Sequence, residues 1–160
     1  MTDPSLEARI GERLCALGWT ICTAESCTGG LVSHRLTNIP GSSAYMMGGV
    51  VAYSNTAKQR LLGVRQGTLI AYGAVSEPTA AEMAAGARAL FETHLAVSVT
   101  GIAGPGGATA EKPVGLTYVG VAGPNDLLIV RRYLFDGDRD ANKAASAEAA
   151  LALALEILNQ

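Results

Sequence analysis

Short β-prone apolar runs alternate with helical patterns along this chain, and that alternation restricts the fold more than any other feature. Read in order, the hydrophobic periodicity of the 160 residues predicts the elements α-β-α-β-α-α-β-β-β-α. Helices placed between strands favour a sheet covered on both faces. We therefore predict an α/β protein, a single three-layer α/β/α domain over residues 1–160 with a mixed, mainly parallel five-stranded sheet.

The expected bounds follow from the same periodicity and from the residues that begin and end helices. Helices are predicted over residues 5–18, up to about Ile39, after Ser54 or Asn55, after Ser76 with Pro78 in the first turn, and up to about Leu158. Strands are predicted over residues 19–22, 45–53, 95–100, 115–122 and 127–135, the last two as an antiparallel hairpin. Residues 63–73 are expected to form a connection.

The composition excludes several classes of function. A net charge of -2 without a basic cluster gives no support for a nucleic-acid partner. No apolar run approaches the length of a membrane span, and the first residues lack the features of a signal peptide, so we expect a cytoplasmic protein without a membrane partner. The alanine-rich helices suggest self-association, and a homodimer is the expected form.

The stretch Thr-Ala-Glu-Ser-Cys-Thr-Gly-Gly (residues 23–30) joins the first predicted strand to a helix. In open α/β sheets, ligands bind at the carboxyl ends of strands, where such a turn lies. Ser26 lies at its tip, Thr28 can cap the helix, and Gly29 and Gly30 let a ligand approach the backbone. The unpaired N–H groups of a helix N-terminus suit an oxyanion or a phosphate. The alternative is a capped turn without chemistry.

The three cysteines, Cys15, Cys22 and Cys27, form no C-x-x-C pair and indicate neither a disulfide framework nor a zinc site. Cys27 adjoins Ser26, so it stays open as an alternative nucleophile. No usual cluster of metal ligands is present in the sequence, and we expect neither a metal nor a cofactor.

A second candidate is Tyr-Ser-Asn-Thr-Ala-Lys (residues 53–58), which places Lys58 in the first turn of a predicted helix. The helix dipole disfavours a cation there, and burial would lower the pKa of the lysine further below its usual value of about 10.4. A neutral amine of this kind can act as general base toward a serine hydroxyl. Tyr53 could relay the proton or orient the amine. The alternative is a surface lysine and a core tyrosine.

Two charged residues and one loop have open roles. Arg139, which begins the last predicted helix, either grips a phosphate or carboxylate or forms an ion pair with a neighbouring acid. Glu25 is either a substrate-orienting carboxylate or an anchor for the turn. The glycine-rich loop of residues 101–107 lacks the G-x-G-x-x-G pattern, but its N–H groups can line an anion or nucleotide pocket.

Four segments together resemble one family: Thr-Ala-Glu-Ser-Cys-Thr-Gly-Gly (23–30), Tyr-Ser-Asn-x-x-Lys (53–58), Gly-Ala-Val-Ser-Glu-Pro (73–78) and Gly-Ile-Ala-Gly-Pro-x-Gly…Lys-Pro-Val-Gly (101–115). With Gly-Asp-Arg (137–139), the sequence is similar over nearly its whole length to the CinA C-terminal domain family, the bacterial nicotinamide-mononucleotide deamidases. This resemblance implies a three-layer α/β/α fold with a mixed sheet. It also implies the stand-alone form, without the molybdopterin-type domain that some members carry.

The resemblance implies hydrolysis of the carboxamide of nicotinamide mononucleotide (NMN), giving nicotinic acid mononucleotide and ammonia. Carried onto this sequence, it makes Ser26 the nucleophile, Lys58 the general base and Tyr53 the partner of Lys58 in a proton relay. The oxyanion would be held by amides around Thr28 to Gly30, or near Ser42 and Ser43. No metal is implied.

The rest of the substrate would face a further set of residues implied by the same resemblance. These are Ser42, Arg139 and the loop of residues 101–107, which includes Gly101 and Gly104. Glu25 and Thr100 are also expected to contact the substrate. The loop departs from many members of the family, because Ala108 and Thr109 follow its Gly-Pro-x-Gly segment. That departure leaves the substrate preference open.

Two functions are therefore compared below. One is a metal-independent amidohydrolase acting on NMN. The other is a catalytically inactive nucleotide-binding or regulatory module linked to competence or the DNA damage response. The presence of Ser26, Tyr53 and Lys58 together favours the enzyme, because a binding module needs no lysine at a helix N-terminus.

Overall fold

Elements form where apolar spacing and capping residues agree along the chain. The computed structural model describes residues 2–160 and contains, in order, α1 (Leu6–Leu17), β1 (Ile21–Glu25), α2 (Leu31–Thr37), a 3₁₀ turn (Ser42–Ala44), β2 (Met46–Val51), α3 (Asn55–Leu62), α4 (Gln66–Tyr72), α5 (Glu77–Phe91), β3 (Leu95–Gly101), β4 (Leu116–Ala122), β5 (Leu128–Leu134) and α6 (Arg139–Leu158).

The five strands form one sheet in the order β2-β1-β3-β4-β5. β1 lies between β2 and β3 and is parallel to both, whereas β4 is antiparallel to β3 and to β5. Four of the five strands therefore run in one direction, and the β4–β5 pair is the predicted hairpin. The α/β prediction with a mixed, mainly parallel sheet is confirmed.

Apolar side chains fill both faces of the sheet. On one face, α1, α2 and α6 pack through residues such as Leu14, Leu36 and Leu151 against Val97 and Val99 of β3. On the other face, residues of α3, α4 and α5 cover the alternate positions of β1 and β3. Burying both faces is what the helices between the strands predicted.

Side-chain caps fix where four of these helices begin. Ser5 accepts a hydrogen bond from the amide of Ala8, Ser54 from Ala57, Ser76 from Thr79 and Asp138 from Ala141. Each cap satisfies an amide that has no partner within the helix, typically contributing about 1 kcal/mol. The predicted start of α5 at Ser76 is confirmed.

Two local predictions are wrong. β1 covers Ile21–Glu25 rather than residues 19–22, because buried Thr23 and Glu25 have their polar groups hydrogen-bonded to α2. Residues 63–73 are not only a connection, because they contain α4. That helix has no side-chain cap and includes Gly67, so its local signals are weak, and the packing of Leu69 into the core stabilises it.

The fold brings three chain segments to one edge of the sheet. β1, β2 and β3 are parallel, so Ser26, Tyr53 and the loop after Gly101 follow strand ends at the same edge. The N-terminus of α6 meets them there, because Arg139 donates to the carbonyl of Gly104. This carboxyl edge is where ligands bind in open α/β sheets.

Candidate active site

Ser26 occupies the first position after β1 and is held by the sheet. Its amide donates to the carbonyl of Val99 at 2.9 Å, which continues the pairing of β1 with β3. Its own carbonyl accepts from the amide of Gly29 at 3.1 Å, which closes the turn. The backbone of Ser26 is thus fixed from both sides, and its hydroxyl lines a cavity at the sheet edge.

Lys58 reaches Ser26 from the first turns of α3. Ser54 is the N-cap, so Lys58 is the fourth residue of the helix, one further than a cap at Asn55 would give. Its side chain is 1% exposed, and Nζ donates to Ser26 Oγ at 3.1 Å and to the carbonyl of Tyr53 at 3.3 Å. Burial lowers the pKa of Lys58 from its ordinary value.

The surroundings of Lys58 favour a neutral amine. Within residues 2–160, no carboxylate lies within 4.0 Å of Nζ to hold the charge on it. A neutral amine has a free lone pair that can accept the hydroxyl proton of Ser26. The pair therefore has the contact and the electrostatics of a nucleophile with its base.

Tyr53 has two separate roles in the structure. Its main-chain carbonyl orients the amine of Lys58, whereas its ring is 63% exposed and its hydroxyl accepts from Arg139 Nη2 at 3.1 Å. The phenol makes no hydrogen bond to Lys58. The main-chain carbonyl of Tyr53 therefore contacts the amine, and the proton relay through its phenol stays a prediction.

Arg139 lies at the mouth of the cavity with its charge uncompensated. Nη1 donates to the carbonyl of Gly104 at 2.6 Å, and the neighbouring Asp138 is engaged instead as the cap of α6. In the part of the chain that the structure describes, no carboxylate lies within 4.0 Å of this guanidinium. The alternative of a structural ion pair is not observed, so the charge is free to attract an anionic ligand.

The loop after β3 forms the next wall of the cavity. Thr100 is buried and donates through its hydroxyl to the carbonyl of Ala74 at 2.8 Å. A Cβ on Gly101 would lie 2.6 Å from Thr117 Oγ1, so only glycine fits between the strands at this position. Asn142 of α6 donates to the carbonyl of Ala103 at 3.0 Å and holds the loop against the helix.

These walls enclose a cavity of about 190 Å³ with Ser26 and Lys58 in its lining. It is lined by Ser26, Cys27, Tyr53, Asn55, Lys58, Ala74, Val75, Thr100, Gly101, Ala103 and Arg139. A second cavity of about 590 Å³ shares Ala103 and Arg139 with it and is lined further by Gly104, Pro105, Val114 and residues 137–140. The two adjoining spaces suit a ligand with a small reacting end and a larger remainder.

Some contributors to the cavity were missed in the sequence. Ala74 and Val75 form a wall without polar side chains, and Asn142 acts only by holding a loop. The side chains of these residues show no reactive group or charge that would identify a site in the sequence. Only the 73–78 segment could have indicated Ala74 and Val75. Asn55 was considered only as a helix cap, although it lines the cavity.

Glu25 is an anchor, which corrects its place in the predicted substrate-binding set. The residue is 1% exposed, and Oε1 accepts from Thr28 Oγ1 at 2.6 Å and from the amide of Val32 at 2.8 Å. Oε2 accepts from the amide of Ser33 at 3.0 Å. The chain's own carboxylate therefore fills the N-terminus of α2, where an oxyanion or phosphate was expected.

The donors left for an oxyanion are main-chain groups of the turn. The amide of Gly29 is engaged with Ser26 and the hydroxyl of Thr28 with Glu25. Among residues 2–160, no acceptor is found for the amides of Cys27, Thr28 and Gly30. Cys27 directly follows the serine and lines the cavity, so its amide is well placed for charge that develops there.

Ser42 and Ser43 are not brought to the cavity, which corrects their predicted role within one chain. They lie in the 3₁₀ turn before β2, whereas Tyr53 follows the end of that strand. The six residues of β2 separate the two ends by about 20 Å at roughly 3.3 Å per residue. Sequence proximity to β2 gave no indication of which sheet edge these serines occupy.

The thiol of Cys27 is a poor alternative nucleophile. Burial raises the pKa of Cys27 to about 11, so the group is a thiol rather than a thiolate near neutral pH.

Over residues 2–160, the structure holds no group of three or more His, Cys, Asp or Glu side chains placed to bind a metal ion. None of the helices in that same range is both long and apolar enough to cross a bilayer.

Comparison with known proteins agrees with this fold. The model of the CinA C-terminal domain matches residues 3–158. A CinA-like protein of Chloroherpeton thalassium is 55% identical over 99% of this chain, but the chain spans only 38% of that relative's length. The nicotinamide-nucleotide amidohydrolase PncC of Enterobacter agglomerans is 48% identical, over 94% of this chain and 92% of its own.

Two crystal structures show the same architecture. The competence/damage inducible protein CihA from Agrobacterium tumefaciens is 42% identical with a TM-score of 0.89, over 100% of this chain and 99% of that one. The competence damage-inducible protein A from Klebsiella pneumoniae is 35% identical with a TM-score of 0.93, over 97% and 96% of the two chains.

Proposed function

Because the chain belongs to the CinA C-terminal domain family, we propose that it hydrolyses the carboxamide of NMN to nicotinic acid mononucleotide and ammonia. The observation that carries this proposal is the buried amine of Lys58, 3.1 Å from the hydroxyl of Ser26. The name of the E. agglomerans relative, which this chain matches over nearly its whole length, supports the same substrate.

The first half of the reaction forms an acyl-enzyme. Ser26 Oγ attacks the carboxamide carbon while Lys58 Nζ accepts the hydroxyl proton. The carbonyl oxygen becomes an oxyanion, stabilised by the free amides of the turn, that of Cys27 first. The tetrahedral intermediate then collapses, and Lys58 returns its proton to the departing nitrogen, which leaves as ammonia.

The second half returns the enzyme to its starting state. A water molecule enters where ammonia left, and Lys58 accepts a proton from it as it attacks the ester carbon. The same amides stabilise the second oxyanion. The bond to Ser26 Oγ breaks, the oxygen takes the proton from Lys58, and the carboxylic acid product loses its remaining proton to water and leaves as the carboxylate. Because Ser26 supplies the nucleophile and Lys58 the base, the proposed cycle is independent of a metal.

The two cavities suit the parts of the proposed substrate. The smaller one, of about 190 Å³, holds the pyridine ring with its carboxamide beside Ser26. The ribose phosphate extends toward Arg139, which lines both the smaller cavity and the larger one of about 590 Å³. A guanidinium without a carboxylate partner is suited to the charge of that phosphate.

Several predictions accompany this proposal. We propose that residues 1–160 form one amidohydrolase domain of the CinA C-terminal type, acting without a cofactor. A cytoplasmic location, the absence of nucleic-acid and membrane partners, and a homodimer stay predictions made from the sequence.

The test is ammonia release from NMN by the purified chain with a chelator present. We expect turnover by the wild type and by Cys27→Ala, and its loss in Ser26→Ala and Lys58→Met. Turnover that survives Ser26→Ala but not Cys27→Ala would place the nucleophile on the thiol. Binding of NMN without turnover by any form would contradict the enzyme and leave a nucleotide-binding module.

A further inference from the structure

A second cation lies one turn after Arg139 on α6. Residues four apart on a helix share a face, so Lys143 and Arg139 extend from the same side of α6. That side meets the turn that carries Ser26, because Lys143 Nζ lies 3.9 Å from the position that a Cβ on Gly29 would occupy. Its positive charge also reaches Cys27, whose thiol pKa it lowers slightly against the larger effect of burial.

Lys143 has no internal partner to explain this position. The residue is half-buried, and no hydrogen bond from its ammonium to any other residue in the range 2–160 is found. No carboxylate of that range lies within 4.0 Å of it, including Asp140, which precedes it by three residues on the exposed side of the helix. A lysine held beside the Ser26 turn without an acid is available to a ligand.

The N-terminus of α2 and the other lysines near Ser26, which could also bind a phosphate, are already occupied. Glu25 fills the N-terminus of α2, Lys58 is buried against Ser26, and Lys112 donates to the carbonyl of Tyr72. Arg139 lines both cavities, Lys143 lies beside the turn that carries Ser26, and neither cation has a carboxylate within 4.0 Å in the described chain. A phosphate monoester carries close to two negative charges at neutral pH, and two cations match it.

We propose that Lys143 binds the phosphate of the substrate together with Arg139, and so makes the site prefer a phosphorylated mononucleotide to the corresponding nucleoside. This inference rests on the proposed function for the identity of the substrate. Arg139 presents a planar pair of donors, and Lys143 supplies a compact charge from the side of the Ser26 turn. Lys143 is a binding residue in this scheme and takes no part in proton transfer.

The test compares NMN with nicotinamide riboside, which differs only by lacking the phosphate. The variants are Lys143→Gln, which removes the charge, and Lys143→Arg, which keeps it. Arg132→Gln is the matched control, because it removes one exposed positive charge from β5. Steady-state KM and kcat are measured for both substrates.

We expect Lys143→Gln to lower kcat/KM for NMN by about 10- to 100-fold, mainly through KM, as for a lost charge-assisted hydrogen bond. The riboside should change by less than about twofold, and Lys143→Arg should recover most of the NMN value. An unchanged value for NMN would overturn the proposal. An equal loss for both substrates would also overturn it, because that result marks a purely structural role.

A binding measurement separates this inference from the proposed reaction. Calorimetry compares nicotinic acid mononucleotide with its riboside on the wild type and on Lys143→Gln, and it needs no turnover. A selective loss of nucleotide affinity by about tenfold or more supports the role of Lys143 even if no ammonia is released. Equal affinities in the two forms, or no affinity of the wild type for the nucleotide, would overturn it.

Discussion

Replacing Lys58 with methionine removes one ammonium from the wall of the cavity and keeps a side chain of similar shape. We expect two opposite effects from this change. Ammonia release should fall by about 10²–10⁴-fold, as for the loss of a general base. Stability should rise, because the native chain buries an amine without a carboxylate partner.

The expected gain in the stability of Lys58→Met follows from the contacts that Lys58 makes in the wild type. A buried ion costs several kcal/mol in folded proteins, or it deprotonates and shows the cost as a lowered pKa. Methionine avoids this cost but loses two hydrogen bonds, to Ser26 Oγ and to the carbonyl of Tyr53, of about 1 kcal/mol each. We expect a net stabilisation of about 1–3 kcal/mol at pH 7, with a rise in Tm of roughly 2–4 °C per kcal/mol.

The stability difference between the wild type and Lys58→Met should depend on pH in a definite direction. The pKa of Lys58 is lowered in the folded chain, so between that pKa and the unfolded value of about 10.4 only the unfolded chain carries the proton. Wild-type stability therefore rises with pH across this window, by at most about 1.36 kcal/mol per unit. At pH values below the pKa of Lys58 in the folded chain, the full cost of burying the charged amine is present. The advantage of Lys58→Met should shrink as the pH approaches 10.

The assay is urea unfolding followed by the fluorescence of Trp19, the single tryptophan, at pH 7 and at pH 9.5. Lys112→Met is the control, because it removes a lysine that is not fully buried. A Lys58→Met variant less stable than the wild type at pH 7 would refute the reasoning. A difference that does not change between the two pH values would refute it as well.

Four further outcomes are expected. The kcat/KM for NMN should rise with pH through the lowered pKa of Lys58, and a flat pH profile would argue against its role as base. Glu25→Gln should lower the free energy of unfolding by about 2–4 kcal/mol in urea titrations, since it disrupts charged hydrogen bonds that the exposed control Glu12→Gln leaves intact. Cys27→Ala should keep kcat/KM within about threefold, and a loss of activity would contradict the thiol state inferred for it. Ser42→Ala should leave kcat/KM unchanged, whereas a tenfold loss would mean that a second copy of the chain completes the site.

Local signals in the sequence were sufficient for most of the fold. The cap at Ser76, the apolar spacing of the long helices and the turn between β4 and β5 act over a few residues, so they can be read without the tertiary structure. The same local rules were insufficient for α4, which lacks a cap and depends on the packing of Leu69.

The sequence by itself determined the order of all the elements except α4, and the residue types at two strand ends, a serine on a glycine-ended turn and a lysine early in a helix. Only the tertiary structure decided that Ser26 and Lys58 touch, because the contact depends on the parallel pairing of β1 with β2. It also assigned the carboxylate of Glu25 to α2 and Ser42 to the far edge of the sheet. Such assignments depend on strand order and direction, which join residues distant in the chain and leave no local pattern in the sequence.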